Sequence, residues 1–132
     1  MSPRNVLIVD DYPDTADSLS ILLTIAGYQT TVARSGEEAI AKASVNRPDV
    51  VVLDIGLGRI SGLDVCRTLR KQNWCSNTVI IAVTGLTSPK VLESLAEAGC
   101  DAHLIKPAEP AALCALIERL YRIVHQRTRT VA

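Results

Sequence analysis

The sequence has 132 residues, 48% of them apolar, with 14 basic and 14 acidic side chains and a formal net charge of zero. A chain of this length matches one domain that buries roughly two-thirds of its unfolded surface, and its apolar content excludes a disordered tail. No apolar run approaches the ~20 residues of a membrane-spanning helix, no N-terminal run is long enough for a signal peptide, and the balanced charge supplies no global field for nucleic acid or anionic lipid.

Val6 to Val9 is a short, nearly continuous β-branched run, as expected of a strand buried on both faces. Pro13 opens the first helix with Asp14 and Asp17 near its positive end, Leu19, Leu22, Leu23 and Ala26 follow on one face, and Gly27 ends it. Tyr28 to Ala33 alternates more and suits an edge strand. Ser35 and Glu38 form a capping box ahead of Ala39, Ile40 and Ala43, and Asn46 with Pro48 stops the second helix. Val50 to Leu53 is a third strand, and a third helix runs from about Leu63 to Lys71. Val79 to Val83 is the fourth strand. Ser88 and Pro89 open a fourth helix carrying Val91, Leu92, Leu95 and Ala96, which Gly99 ends. Ala102 to Ile105 is a short fifth strand closed by Lys106-Pro107, and Pro110 opens a fifth helix with Leu113, Leu116, Ile117, Leu120 and Val124. Cys66, Cys75, Cys100 and Cys114 are widely spaced with no C-x-x-C pair, so they read as reduced thiols rather than a zinc site or a disulfide framework.

Five βα units in succession predict an α/β fold, a parallel sheet with right-handed crossovers and helices on both faces. For five strands the flavodoxin-like order is 2-1-3-4-5, with a topological switch point between the first and third strands where ligands bind at the carboxyl ends. Those ends carry Asp10 and Asp11, Asp54, Thr84 and Lys106. Singly, each has a plainer reading: Asp11 as a helix cap, Asp54 and Thr84 as turn starts, Lys106 as a solvated charge. Together they converge on one rim, where three carboxylates repel one another unless cations intervene.

Asp10-Asp11 after Val6-Leu7-Ile8-Val9, Asp54 after Val51-Val52-Leu53, Thr84-Gly85 after Ile81-Ala82-Val83, and Lys106-Pro107 after His103-Leu104-Ile105 resemble the receiver domain of bacterial response regulators. The resemblance covers about residues 5 to 125. It implies a Mg²⁺-dependent switch rather than an enzyme in its own right. Asp54 takes a phosphoryl group from a histidine kinase or histidine phosphotransfer protein. Asp10, Asp11, Asp54 and the Gly56 carbonyl hold the metal, Lys106 and Thr84 meet the phosphoryl oxygens, and the Lys106-Pro107 bond is cis. Thr84, with the residue three before the lysine, carries the conformational readout. That residue is His103, where an aromatic is usual, and its plainer reading is packing at the sheet edge.

Other departures from the family pattern carry their own expectations. Gly56-Leu57-Gly58-Arg59-Ile60 has glycine where proline is usual, which predicts a mobile loop. The two positions that orient a hydrolytic water in the family are Gly56 and Leu86, neither of which can do so, and this predicts a long-lived aspartyl phosphate unless Arg59 or bulk water substitutes. Residues 1–126 read as the receiver domain and 127–132 as a basic C-terminal tail. No helix-turn-helix remains once the five units are counted, so direct DNA binding is not expected and the partner downstream is a protein. The remaining expectations are a cytoplasmic protein, a monomer or weak dimer, and no membrane association. Two alternatives stay open: a receiver module from a hybrid histidine kinase, and an aspartyl-nucleophile phosphatase. The second is disfavoured because Gly56 stands where such enzymes have a general acid.

Overall fold

The chain alternates strand and helix throughout: β1 (Asn5–Val9), α1 (Pro13–Ile25), β2 (Gln29–Ala33), α2 (Gly36–Asn46), β3 (Val50–Asp54), α3 (Gly62–Arg70), a 3-10 helix (Asn73–Asn77), β4 (Val79–Thr84), α4 (Pro89–Ala98), β5 (Ala102–Ile105) and α5 (Pro110–Val131). This is a computed structural model that describes residues 5–58, 60–85 and 87–131, with side chains through residue 126. Arg59, Leu86 and the side chains of the basic segment from Arg127 onward therefore lie outside the described residues.

All strand pairs are parallel, in the order β2-β1-β3-β4-β5, the flavodoxin-like arrangement expected from the βα repeats. Side chains in a strand alternate between faces, and here both faces are covered. Val6, Ile8, Val50, Val52, Val79 and Ile81 pack with Leu23 of α1 and Leu113 and Ile117 of α5. Leu7, Val9, Val51, Leu53 and Ile80 pack on the other face with Ala39 and Ala43 of α2 and Val65, Cys66 and Leu69 of α3. Two buried faces leave no position for a polar residue, which is why β1, β3 and β4 read as continuous apolar runs. Each fully buried Leu or Ile, such as Leu7, Ile8, Leu53 and Ile80, contributes about 1.5–3 kcal/mol.

Helix ends follow local chemistry. Ser35, Ser61 and Ser88 accept hydrogen bonds from the backbone N–H groups of Glu38, Asp64 and Val91. At Ser35 the Glu38 N–H donates to the cap hydroxyl at 3.1 Å, and the Glu38 carboxylate pairs with the Lys42 ammonium at 2.9 Å. Arg47 takes a left-handed conformation (φ 45) before Pro48, which disfavours helix in the residue preceding it. The 3-10 helix before β4 was not foreseen.

Arg70, the last residue of α3, ties several segments together. Its guanidinium donates to the carbonyls of Gly99 (2.9 Å), Cys75 (2.8 Å) and Thr78 (2.7 Å) and pairs with Asp101 at 2.8 Å. The same Asp101 oxygen accepts the backbone N–H of Ile80. Gly99 is needed here twice over: its φ is +104, and a Cβ would meet Arg70 Cγ at 2.8 Å. Among the described residues no helix is long and apolar enough to cross a membrane.

Candidate functional site

The switch point lies between β1 and β3. Val9 is in register with Leu53, so the chain leaves β1 at Asp10 beside the carboxyl end of β3, where Asp54 sits. Asp10, Asp11, Asp54, Gly56, Lys106 and Pro107 line one cleft of about 760 Å³. Its apolar wall continues along Leu19 and Leu22 of α1.

Within the cleft the carboxylates of Asp10, Asp11 and Asp54 offer oxygens that all lie within 4.8 Å of one another. Asp10 and Asp54 are buried, while Asp11 is exposed. Asp11 does not cap α1, whose N-cap is Tyr12 with no side-chain cap bond. The Tyr12 N–H instead donates to Asp10 Oδ1 at 3.0 Å. Burial pushes the Asp10 carboxyl above the usual carboxylate range. The Tyr12 N–H opposes this, Asp54 repulsion adds to it, Lys106 lowers it, and Asp11 repulsion adds again.

Asp54 Oδ1 accepts the Gly56 backbone N–H at 2.9 Å and lies 2.8 Å from Lys106 Nζ. Lys106 is brought there by β5, whose end is fastened to β4 by the Lys106 N–H donating to the Thr84 carbonyl at 2.9 Å. The Lys106-Pro107 peptide is cis. Three crowded oxygen donors with an ammonium beside one of them suit a hard divalent cation, which prefers oxygen ligands and tolerates retained waters. The most buried carboxylate of the set, Asp54, is also the one paired with the lysine.

Two predicted residues stand apart from the cleft lining. Thr84 ends β4 and is buried, in register with Ile105. His103 lies on β5, an edge strand of the sheet, with its side chain exposed. The loop after Asp54, expected to be mobile, is anchored by Leu57, which is buried in the α2–α3 side of the core.

Gly62, the first residue of α3, positions the acceptor. A Cβ there would meet the Asp54 carbonyl oxygen and Ile55 Cα, both at 2.6 Å, while the Gly62 N–H donates to the Ile55 carbonyl at 3.2 Å. The start of α3 therefore sits directly on the backbone that carries Asp54. A glycine at the first residue of a helix was the available signal.

The response regulator receiver domain profile matches residues 6–118. The chain is 34% identical over 119 residues to the DNA-binding response regulator MtrA of Mycolicibacterium smegmatis, covering 90% of this chain and 51% of that protein. It is 33% identical over 105 residues to the polar-differentiation response regulator DivK of Brucella anthropi, covering 80% of this chain and 85% of that protein. The chemotaxis protein CheY4 of Vibrio cholerae superposes with a TM-score of 0.86 at 31% identity, covering 90% of this chain and 99% of that one. The chain thus spans about half the length of relatives such as MtrA and nearly all of the CheY4 chain. Sheet order, carboxylate rim and sequence agree, and the chain belongs to the response regulator receiver domain family of two-component signalling.

Proposed function

We propose that this receiver domain is a phospho-acceptor switch in a two-component phosphorelay and that Asp54 is the acceptor. The observation that carries the reading is the Asp54 carboxylate, buried at the end of β3, grouped with Asp10 and Asp11 and 2.8 Å from Lys106 Nζ. In the step, an Asp54 oxygen attacks the phosphorus of a phosphohistidine, the P–N bond breaks, and the imidazole leaves with the electron pair. Asp10, Asp11, Asp54 and the Gly56 carbonyl are the residues that would hold Mg²⁺, which supplies charge neutralisation for the transferring oxygens. Lys106 neutralises a further oxygen and holds the acceptor carboxylate in place beforehand.

After transfer the site carries added negative charge and new acceptor oxygens, which attract the Thr84 hydroxyl and the loop that follows β4. His103, exposed on β5, belongs to the surface that reports this change to a protein effector. Residues 1–126 form the switch and 127–132 its basic tail, in the cytoplasm, with a histidine kinase or histidine phosphotransfer protein as donor. A hybrid kinase is the alternative setting for the same module: a receiver domain of a histidine kinase from Syntrophus aciditrophicus superposes with a TM-score of 0.82 at 32% identity, covering 90% of both chains.

The test is mass spectrometry after incubation with a small-molecule phosphodonor and Mg²⁺. One phosphoryl group is expected on Asp54, absent in Asp54→Asn and when the metal is chelated. Unchanged labelling of Asp54→Asn would overturn the proposal.

A further inference from the structure

Away from the acidic cleft, at the amino-terminal end of β5, two thiols touch. Cys66 is fully buried on the inner face of α3, and Cys100 is partly exposed in the turn between α4 and β5. The Cys100 thiol donates to Cys66 Sγ at 3.6 Å, and the Cys66 thiol is oriented toward the Ala98 carbonyl at 3.2 Å. The receiver chemistry at Asp54 uses neither sulfur.

From this geometry we infer that Cys66 and Cys100 are a redox-modification site, closing to an intramolecular disulfide on exposure to hydrogen peroxide. Two sulfurs already at van der Waals separation need to approach by only ~1.6 Å to reach bonding distance. The segments that carry them are held together independently of the thiols, because Arg70, one turn beyond Cys66 in α3, donates to the Gly99 carbonyl and pairs with Asp101, the two residues flanking Cys100. The pair is thus preorganised from both sides.

The electrostatics agree with the geometry. The hydrogen bond from Cys100 holds the Cys66 thiol below the ordinary cysteine range, against the effect of burial, with the Arg70 guanidinium acting in the same direction. The same hydrogen bond, with burial, pushes the Cys100 thiol up. Cys75 lies 3.9 Å from Arg70 Nη1, but burial pushes its thiol up. Burial likewise raises Cys114, which belongs to α5.

One thiolate attacks a peroxide oxygen, the O–O bond breaks, and hydroxide leaves, which gives a sulfenic acid. The second sulfur attacks the sulfenyl sulfur, the S–O bond breaks, and a second hydroxide leaves. The two thiol protons turn both hydroxides into water, so the thiols lose two electrons and one peroxide is reduced to two waters. The bond joins α3 covalently to the turn that ends α4.

The folded full chain is treated with hydrogen peroxide, alkylated, and measured by intact and peptide mass spectrometry. Wild type is expected to lose two alkylatable thiols and the mass of two hydrogens, reversibly on reduction, with Cys66 linked to Cys100. The link should vanish in Cys66→Ala and in the milder Cys100→Ala and persist in Cys75→Ala and in Cys114→Ser. The inference is overturned if folded wild type keeps all its thiols, if the bond forms through Cys75, Cys114 or a second chain, or if the sulfurs end as sulfinic acids without a bridge.

Discussion

Among the described residues, a Cβ added at Gly56 would meet only Asp54 Oδ1, at the ordinary contact distance of 3.6 Å, and the residue is exposed. A side chain therefore fits there. Gly56 offers nothing to align a water opposite the Asp54 oxygen, and alignment is what hydrolysis of an aspartyl phosphate requires. We expect Gly56→Asn, with an amide in reach of that water, to shorten the lifetime of the phosphorylated protein by up to roughly a hundredfold, the size of effect that a misplacement of about 1 Å produces. Phosphoryl loss followed by mass spectrometry in Mg²⁺ tests this, and equal decay rates would show that this position does not set the lifetime. Gly62 behaves in the opposite way. Its missing Cβ would lie 2.6 Å from two backbone atoms of the segment holding Asp54, which cannot move aside as a flexible side chain does. Gly62→Ala should cost about 1–3 kcal/mol as an overpacked site. Urea unfolding reads this directly, and a cost under about 0.5 kcal/mol would mean that α3 can retreat from β3.

At the scale of elements, the sheet edge next to β2 is tied to the last helix by one hydrogen bond over a long stretch of chain. Tyr28, just before β2, is buried, and its hydroxyl donates to Glu118 of α5. Burial first, then that hydrogen bond and the Glu118 charge, push the phenol well above its ordinary value. A raised folded value means that Tyr28 contributes stability below the ordinary phenol range near pH 10, and the contribution is lost as pH rises through the folded value. Tyr28→Phe should thus be less stable than wild type by about 1–2 kcal/mol at pH 8, and the gap should narrow above about pH 10 at up to ~1.4 kcal/mol per pH unit. Melting curves from pH 8 to 11 check it; a gap independent of pH would sink the assignment. Neither this tie nor the Arg70 knot was legible in the sequence. Tyr28 read as the first residue of an edge strand and Arg70 only as a position within the third helix, because pattern reports which face a residue occupies and not which distant group it meets. The strands were legible for the opposite reason: β1, β3 and β4 are buried on both faces, so burial alone dictates their composition. The 3-10 helix has no such face-wide requirement, only Cys75 being buried in it, and it left no periodic trace.

For the whole molecule, the convergence of the acidic rim follows from topology. Strand order 2-1-3-4-5 sets the ends of β1 and β3 side by side, and with them Asp10 and Asp54. That arrangement has an energetic consequence for the metal-free protein. Asp10 is buried and repelled by Asp54 and Asp11, and among the described residues Lys106, itself partly solvated, and the Tyr12 N–H oppose the crowding. Folding alone brings these charges together, so a divalent cation that binds only the folded state stabilises it by mass action, by about 2.7 kcal/mol at a concentration a hundredfold above Kd. In a domain of this size that raises the melting midpoint by roughly 10 °C. Asp11 is the exposed member of the set, so Asp11→Ala leaves the core untouched while removing one proposed ligand and one source of repulsion. We expect this variant to melt at or slightly above the wild-type midpoint in chelator, and to gain less than a third of the wild-type increase when Mg²⁺ is added. The same titration with Ca²⁺ should stabilise wild type as well, since the donors are all oxygen, and with K⁺ it should not. If Mg²⁺ raised the midpoint of Asp11→Ala as far as that of wild type, Asp11 would not be a ligand, and the cleft would hold its cation, if any, through Asp10 and Asp54 alone.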